Sequence, residues 1–258
     1  MELAHRLRQA GRGERQRLYG ELYDELFTRV PWHIQHRRRD DRRGREVANA
    51  RLRSFLSPWL TPAATVLEIG AGDGAFAREL AAQVARAYAL DVSAKVTDGT
   101  GEPPNYEFLV SDGTSIPLPD GSVDLVFSNQ LIEHIHPDDL TEHLNQVRRV
   151  LRRGGRYLAI TPNRLSGPHD ISGHFHDEPR GFHLREFACA DLAEDLRRAG
   201  FEDIRQVIRI SGRPVVLPVA VPAALEAAIG VLPRRWQRRV AARAPFVQAI
   251  AVRLSARR

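Results

Sequence analysis

The stretch that decides the fold is VLEIGAGDGAF at residues 66–76, an apolar run that passes into a glycine-rich turn. The apolar run predicts a buried strand, and the residues after the turn predict a helix. Gly70, Gly72 and Gly74 let the backbone turn tightly and leave room for a ligand against it. The helix that follows presents unsatisfied N–H groups and a positive dipole end to that ligand. This order of elements predicts a nucleotide site.

Short apolar runs alternate with helical patterns from residue 61 onward, which indicates βαβ units and a mostly parallel sheet. The predicted strands are 65–69, 87–90, 106–110, 123–128, 156–161, 203–210 and 246–254. The predicted helices are 75–84, 137–151 and 188–199. The first five strands end in small or polar residues. Since ligands bind at the carboxyl ends of strands in open α/β sheets, we expect the site there.

The two ends of the chain differ from this central pattern. Residues 1–60 predict an N-terminal helical cap region, in which residues 18, 22, 26 and 30 form one apolar face. The run HRRRDDRRGR at 36–45 predicts a loop or a solvated helix start. Residues 61–258 predict the nucleotide-binding domain, with a helical excursion at about 212–245. We expect residues 1–53 and 212–245 to cover the acceptor.

The most apolar stretch is PVVLPVAVPAALEAAIGVLP at 214–233. Its length would span a bilayer, but Pro218, Pro222 and Glu226 argue against a spanning helix. Two interpretations stay open at this point. The stretch is a helical excursion that caps the domain, or it is an interfacial helix that rests with the basic RRWQRR run on an anionic membrane.

Charge is unevenly distributed along the chain, whose formal net charge is +6. Residues 1–53 carry a net charge of +6, residues 54–211 carry −8 and residues 212–258 carry +8. Basic ends favour an anionic partner, although an arginine-rich composition alone would give the same pattern. Cys189 is the single cysteine, so it excludes an intrachain disulfide and predicts a small buried helix residue. The N-terminus lacks the apolar core of a signal peptide, which predicts a cytoplasmic location.

Acidic residues at the strand ends separate two classes of nucleotide ligand. Asp91 follows Gly70 by 21 residues, where a ribose-binding acid would lie whether the ligand carries a pyrophosphate or a sulfonium. Glu68 would repel a pyrophosphate but suits a ligand with a sulfonium and an ammonium group. Asp112, before Gly113, can accept a hydrogen bond from an adenine amino group. A dinucleotide cofactor stays open, because Gly70 also begins a G-x-G-x-x-A pattern.

Several motifs together resemble the class I S-adenosylmethionine (SAM)-dependent methyltransferases. VLEIGAGDG is similar to their first motif, and ALDVS carries the acid that ends their second strand. Their adenine-contacting loop and the strand after it resemble VSDGTSIPLPDGSVDLVFSNQLIEHI. The helix, turn and strand that close their core resemble VRRVLRRGGRYLAITPN. The resemblance covers about residues 61–210. It implies a Rossmann-like α/β fold with seven strands, of which only the last is antiparallel.

The resemblance also implies a role for each matching residue. Gly70 and Gly72 would lie against the methionine part of SAM, with Glu68 ordering their loop. Asp91 would bind both ribose hydroxyls. The remaining cofactor-binding residues are Asp112 and Gly113 at adenine, and Asn129 and Gln130 near methionine and the transferred methyl group.

Histidine is the commonest general base, and this chain concentrates histidine in two places. His134 lies in QLIEHIHPDD (130–139), and His183 closes the His-rich loop SGPHDISGHFHDEPRGFHLREF (166–187). The loop follows the fifth strand, where an acceptor would enter, and its glycines and prolines suit a lid. We predict Glu133, His134 and His183 as the catalytic residues. The alternative is a surface loop that is rich in histidine.

A metal site is the competing interpretation of the same turn. Quinone-pathway O-methyltransferases and small-RNA 2′-O-methyltransferases use an E-x-x-E-H metal site here, which Glu133 and His134 match. Gln130 replaces the first carboxylate and is a weaker ligand for hard cations. We therefore predict no metal.

The sequence thus predicts a SAM-dependent methyltransferase that acts on a hydroxyl group of a small molecule: a sugar, a phenol or quinol, or a lipid-linked intermediate. Three alternatives stay open: an RNA or protein methyltransferase, a SAM-binding protein without catalysis, and an NAD-dependent oxidoreductase. The predicted partners are the acceptor and an anionic membrane, touched through the basic C-terminal region. We expect no nucleic-acid partner, because nothing resembles an RNA-binding module.

Overall fold

One eight-stranded sheet lies at the centre of a computed structural model that describes residues 2–30, 42–93, 102–243 and 245–258. The strands are Thr65–Ile69 (β1), Arg86–Asp91 (β2), Tyr106–Val110 (β3), Val123–Asn129 (β4), Leu151–Thr161 (β5), Glu202–Ile210 (β6), Arg213–Pro218 (β7) and Val252–Arg257 (β8). The helices are Glu2–Gln9 (α1), Arg12–Arg29 (α2), Arg42–Leu56 (α3), Ala75–Leu80 (α4), Pro137–Val150 (α5), Cys189–Arg198 (α6), Ala220–Gly230 (α7), Arg234–Ala241 (α8) and Phe246–Ala249 (α9). Short 3-10 turns lie at Ile132–His134 and Ile171–His174.

The strand order is β3-β2-β1-β4-β5-β8-β6-β7. Strands β1 to β5 pair in parallel, whereas β8 is antiparallel to both β5 and β6. The predicted α/β fold class, with a mostly parallel sheet and an antiparallel last strand, is confirmed. Strands β1 to β3 are added to the sheet in one direction, and β4 then begins on the other side of β1. The carboxyl ends of these two strands therefore border the crevice in which such sheets bind ligands.

The sheet has one strand more than the seven predicted. Residues 213–218, which we assigned to a helical excursion, form β7, a second antiparallel strand that pairs with β6 alone. Pro214 and Pro218 are tolerated there because an edge strand needs hydrogen bonds on one side only. The excursion is helical from Ala220 onward, and the last strand begins at Val252 rather than at residue 246. No helix among the described residues is long and apolar enough to cross a membrane.

The core has one layer on each face of the sheet. On one face, Leu144 of α5 and Leu192 of α6 pack against the sheet. On the other face, Phe76 of α4 and Leu56 of α3 do so. Four of the five β1 residues are buried, which explains the continuous apolar run by which the strand was predicted. Cys189 is buried at the start of α6, as predicted.

The N-terminal helices form a separate apolar cluster with the His-rich loop. Leu18 and Leu22, on the predicted apolar face of α2, are buried together with Leu7 of α1 and Leu184 of the loop. The predicted loop at 36–45 lies outside the described residues up to position 41, and α3 begins at Arg42. Helices α1 and α2 are thus placed over the carboxyl ends of the strands.

Candidate functional site

The glycine-rich turn after β1 has the backbone that its sequence predicts. Gly70, Gly72 and Gly74 have positive φ angles of 72°, 58° and 69°, which residues with side chains rarely adopt. The Gly72 N–H donates to Asp91 Oδ2 over 2.7 Å. No atom lies within 4 Å of the position that a Gly72 Cβ would take. The turn is therefore tied to the end of β2 and borders open space at Gly72.

Glu68 lies beneath this turn and is almost fully buried. Its Oε2 accepts a hydrogen bond of 3.0 Å from the N–H of Ala77, in the first turn of α4. Burial, and to a smaller extent the nearby Asp73 and Asp91, raise the pKa of Glu68 to about 8. The predicted ordering role thus has a physical basis, since the side chain ties β1 to α4.

Asp91 stands where β2 ends and faces the glycine turn. Its carboxylate accepts from the N–H groups of Gly72 at 2.7 Å and Val92 at 2.8 Å. Burial raises the pKa of Asp91, and these hydrogen bonds oppose that rise. Together with the nearby Asp73, it makes this end of the crevice acidic, whereas Glu68, with a pKa of about 8, is mostly uncharged at neutral pH. Such a crevice favours a cationic ligand.

Asp112 and Gly113 form a tight turn after β3. Asp112 Oδ1 accepts from the N–H groups of Thr114 at 2.9 Å and Ser115 at 2.7 Å. Burial alone would raise the pKa of Asp112, but these hydrogen bonds outweigh it and lower the pKa. Gly113 has a φ of 86°, and a Cβ there would lie 2.6 Å from the ring of Tyr19. The predicted adenine-binding turn is thus packed directly against α2.

Helix α2 lies across the loops that follow β2 and β3. Besides Tyr19, Gln16 Nε2 donates to Thr114 Oγ1 over 3.2 Å, and Ser93 Oγ donates to Asp24 Oδ1 over 2.6 Å. The sequence predicted that this region would cover the acceptor, but these contacts are with the loops assigned to the cofactor. Neither Tyr19 nor Asp24 was predicted as a site residue. The amphipathic spacing locates the helix but not the loop on which it packs.

Asn129 and Gln130 end β4 on the other side of the crevice. Gln130 has a φ of 58°, an unusual value for a residue with a side chain, and its side chain is exposed. Its N–H donates to Ile160 O over 2.8 Å. The next side chain, Leu131, would lie 3.0 Å from a Cβ on Gly70. The strained turn after β4 therefore lies beside the glycine turn, as the predicted cofactor position requires.

The structure brings the three predicted catalytic residues together. One ligand atom from each of Glu133, His134 and His183 lies within 4.8 Å of the others, and the two imidazole rings meet edge to face at 4.9 Å. Glu133 is fully buried; its Oε2 accepts from Thr161 Oγ1 at 2.8 Å, while Oε1 has no hydrogen-bond partner. Burial raises the pKa of Glu133 to about 7. We call these three residues the catalytic cluster.

Glu186, which the sequence analysis missed, holds His183 in place. Its Oε1 lies 2.8 Å from His183 Nδ1, and its Oε2 lies 3.3 Å from His169 Nδ1. Burial would raise the pKa of Glu186, but the hydrogen bonds from both histidines outweigh it and lower the pKa to about 2. Burial lowers the pKa of His183, yet Glu186 and Glu133 reverse that effect and raise it. The sequence signal for this pair was the spacing of three residues between His183 and Glu186 in HLRE (183–186).

The loop that carries His183 is fastened by the N-terminus of the chain. The guanidinium of Arg8 in α1 donates to Pro179 O and to Leu184 O, each over 3.1 Å. His134 Nδ1 lies 2.9 Å from Phe182 O on the same loop. His174, in contrast, is exposed. Of the four histidines of the His-rich loop, His183 is therefore the one that lies in the catalytic cluster.

The catalytic cluster is also the group of described residues that could hold a metal ion. Gln130 occupies the place of the first carboxylate of the E-x-x-E-H pattern, and its side chain is exposed.

Comparison with known proteins agrees with this geometry. Residues 67–159 match the family model of a methyltransferase domain. The chain is 39% identical over 140 residues to a probable SAM-dependent methyltransferase of Mycolicibacterium smegmatis, a match that covers 53% of this chain and 51% of that one. It is 31% identical to malonyl-(acyl-carrier protein) O-methyltransferase of Methylococcus capsulatus, covering 60% of this chain and 59% of that one.

A phosphoethanolamine N-methyltransferase of Triticum aestivum is 30% identical over 54% of this chain and 28% of its own length. The chain spans about half the length, or less, of these curated relatives except the M. capsulatus enzyme. A solved SAM-dependent methyltransferase of Archaeoglobus fulgidus has the same fold, with a TM-score of 0.55, 17% identity and coverage of 83% of this chain and 94% of that chain. These similarities agree with the predicted family and with SAM as the predicted cofactor.

Proposed function

We propose that this chain, a class I SAM-dependent methyltransferase, transfers the methyl group of SAM to a hydroxyl group of a small molecule. The observation that carries the proposal is the pairing of His183 with Glu186 over 2.8 Å inside the catalytic cluster. A carboxylate that receives the Nδ1–H fixes the tautomer of the imidazole and leaves Nε2 as the proton acceptor. Methylation of a hydroxyl benefits from such an acceptor.

In the proposed reaction, the acceptor oxygen forms a bond to the methyl carbon while the carbon–sulfur bond of SAM breaks. The hydroxyl proton passes to Nε2 of His183, and the sulfonium leaves as the neutral thioether of S-adenosylhomocysteine. Glu186 and the buried Glu133 stabilise the imidazolium that forms. Positioning the acceptor in line with the methyl group contributes several kcal/mol, about 7–11 in favourable cases. The general base adds about 10²–10⁴-fold.

The proposed cofactor contacts follow the strand ends. Asp91 binds the ribose hydroxyls, and the turn of Asp112 and Gly113 holds adenine. Asn129 and Gln130 lie near the methionine part, which rests on the backbone of the glycine turn. The acidic crevice at Asp91 supports this orientation, because SAM carries a sulfonium and an ammonium group there.

A small-molecule acceptor is supported by the names of two relatives, which methylate malonyl-(acyl-carrier protein) and phosphoethanolamine. One is an O-methyltransferase and the other an N-methyltransferase, so the choice of oxygen rests on the catalytic cluster. A protein or RNA acceptor and a SAM-binding role without catalysis remain the competing functions. Turnover with a panel of sugars, phenols, quinols and amines distinguishes them, with release of S-adenosylhomocysteine as the readout.

The role of His183 is tested by kinetics on the accepted substrate. We expect His183→Ala to lower kcat by about 10²–10⁴-fold and to leave the affinity for S-adenosylhomocysteine unchanged. His174→Ala, an exposed histidine of the same loop, is the matched control and should retain full activity. Because the base must be deprotonated, activity should rise with pH through the pKa of His183, which lies above its ordinary value.

Glu186→Gln gives a second, finer test of the same base. Without the carboxylate, the pKa of His183 falls, so the acid limb of the pH profile should move to lower pH while kcat also falls. Full activity of His183→Ala, or a pH profile that Glu186→Gln leaves unmoved, would contradict the proposal. We expect EDTA to leave turnover unchanged; a loss that Mg²⁺ or Mn²⁺ restores would assign hydroxyl activation to a cation held by the catalytic cluster.

A further inference from the structure

The large apolar side chains that remain exposed among the described residues are concentrated in two segments. Phe175 is 76% exposed in the His-rich loop, and Val231 is 84% exposed between α7 and α8. Five of the ten exposed large apolar residues in the described part of the chain belong to these segments: Ile171, Phe175, Val231, Trp236 and Phe246. Single exposed apolar residues are ordinary, but a concentration of them marks a binding surface.

The two segments lie against each other. Arg238 of α8 contacts Asp177 Oδ1 at 3.2 Å and donates to Gly173 O over 3.4 Å. One turn earlier, Arg234 donates to Gly167 O over 3.3 Å. One side of α8 is therefore fastened to the His-rich loop. We call residues 171–177 together with residues 231–243 and Phe246 the rim surface, since the loop continues to His183 in the catalytic cluster.

The rim surface carries positive charge beyond the pair that Arg238 makes with Asp177. Arg235, Arg239 and Arg243 are exposed and have no carboxylate partner among the described residues. The guanidinium of Arg239 lies over the ring of Trp236, with 5.4 Å between its Cζ and the ring centroid. An exposed arginine beside an exposed tryptophan is the pairing found where a protein meets a lipid headgroup layer.

The one acidic residue of 212–258 faces inward. Glu226 in α7 is buried and accepts from Asn163 Nδ2 at 2.6 Å and from the N–H of Cys189 at 2.7 Å. It therefore anchors α7 to the domain and cannot offset the exposed arginines. Arg235 and Arg239, which are exposed, therefore present their positive charge to solvent and to whatever docks there.

We propose that the rim surface binds the surface of an anionic lipid bilayer. The arginines pair with lipid phosphates, at about 1 kcal/mol for each basic residue near such a surface. Trp236, Phe175 and Val231 enter the boundary between headgroups and acyl chains. The aliphatic residues favour lipid over nucleic acid, which gains from stacked aromatic rings but not from an exposed valine. Because the rim surface adjoins the loop of His183, the acceptor side of the molecule faces the membrane.

The test is flotation of the full chain with vesicles of phosphatidylcholine, with and without phosphatidylglycerol. We expect recovery only with phosphatidylglycerol, and weaker binding when salt is added. The double variant Arg235→Gln/Arg239→Gln should bind at least about tenfold more weakly. Trp236→Ala should weaken binding at any salt concentration. Unchanged thermal midpoints would show that the exposed substitutions leave the fold intact.

The matched control is Arg197→Gln/Arg198→Gln in α6, which removes the same charge from exposed arginines that pair with Glu194. It should float like the wild type. Absence of flotation by the wild type, or loss of binding by this control to the same extent, would overturn the proposal. Tighter binding to single-stranded RNA than to vesicles, with the same dependence on Arg235 and Arg239, would assign the surface to nucleic acid instead.

Discussion

The two ends of the chain are both arginine-rich, yet the structure uses their arginines in opposite ways. In the N-terminal helices, Arg15 is buried and holds Asp139 with two hydrogen bonds of 2.7 and 2.6 Å. In the C-terminal excursion, Arg235 and Arg239 are exposed and have no carboxylate partner among the described residues. A net charge summed over a segment does not distinguish a buried, paired arginine from an exposed one. The distance from each arginine to the nearest carboxylate distinguishes them.

The N-terminal helices are therefore part of the candidate functional site, whereas the C-terminal excursion carries the exposed rim surface. Tyr19 of α2 lies against Gly113 and also donates to Asp139 Oδ2 over 3.0 Å. The ion pair of Arg15 and Asp139 thus fixes the helix that covers the predicted adenine-binding turn. No corresponding contact ties α8 to the cofactor side among the described residues.

The largest expected effect comes from breaking that ion pair. Arg15→Ala leaves Asp139 buried without its charged partner, with only the hydrogen bond from Tyr19, and should lower the free energy of unfolding by about 3–5 kcal/mol. Arg12→Ala is the control, because it breaks an exposed ion pair. The Arg12 side chain is 65% exposed, and its Nη2 lies 3.6 Å from Glu142 Oε2. This substitution should cost less than about 1 kcal/mol. Denaturant unfolding measures both free energies. Equal effects of the two substitutions would contradict the claim that the buried pair of Arg15 and Asp139 holds α2 in place.

A smaller effect is expected from acid. Burial would raise the pKa of Asp139, but the hydrogen bonds from Arg15 and Tyr19 outweigh it, and the pKa is lowered. Its contribution to stability is therefore complete above the unfolded-state pKa of about 3.9 and is lost as the pH falls further. Below about pH 4, wild type should lose stability with falling pH more steeply than Asp139→Asn does. Parallel curves for the two proteins would show that the pair contributes nothing.

The smallest expected effect lies at the other end of the chain. Arg235→Gln/Arg239→Gln should change the free energy of unfolding by less than about 0.5 kcal/mol, because the two side chains have no charged partner in the part of the chain that the structure describes. Denaturant unfolding under the same conditions provides the comparison with Arg15→Ala. A loss of 2 kcal/mol or more, which is about the size expected for a buried partner, would show that these arginines serve the fold rather than a surface.

Local patterns were sufficient to predict most of the core. The glycine turn, the strands from β1 to β5 and the predicted place of Asp91 follow from neighbouring residues, because strand ends and positive φ angles have local signals. The position of Glu133 beside His134 had the same kind of signal. The catalytic cluster was predicted as three residues, and the structure brings those three together.

Contacts between distant residues could not be predicted in this way. Arg15 and Asp139 are 124 positions apart, and Arg8 reaches a loop more than 170 positions away. Nothing in a single sequence pairs such residues. β7 was missed for a different reason: an apolar run with prolines fits a capped helix as well as an edge strand, and pairing with β6 decided between them.

The measurement that tests the central claim most directly is calorimetric titration of S-adenosylhomocysteine into the wild type and Asp91→Asn. Asparagine is the sharper substitution, because it retains one oxygen to accept the hydrogen bond from Gly72. We predict binding to the wild type that weakens at least about tenfold in the variant, or about 1.4 kcal/mol. Equal affinity would contradict the ribose role of Asp91, and absence of binding to the wild type would contradict the proposed methyl transfer.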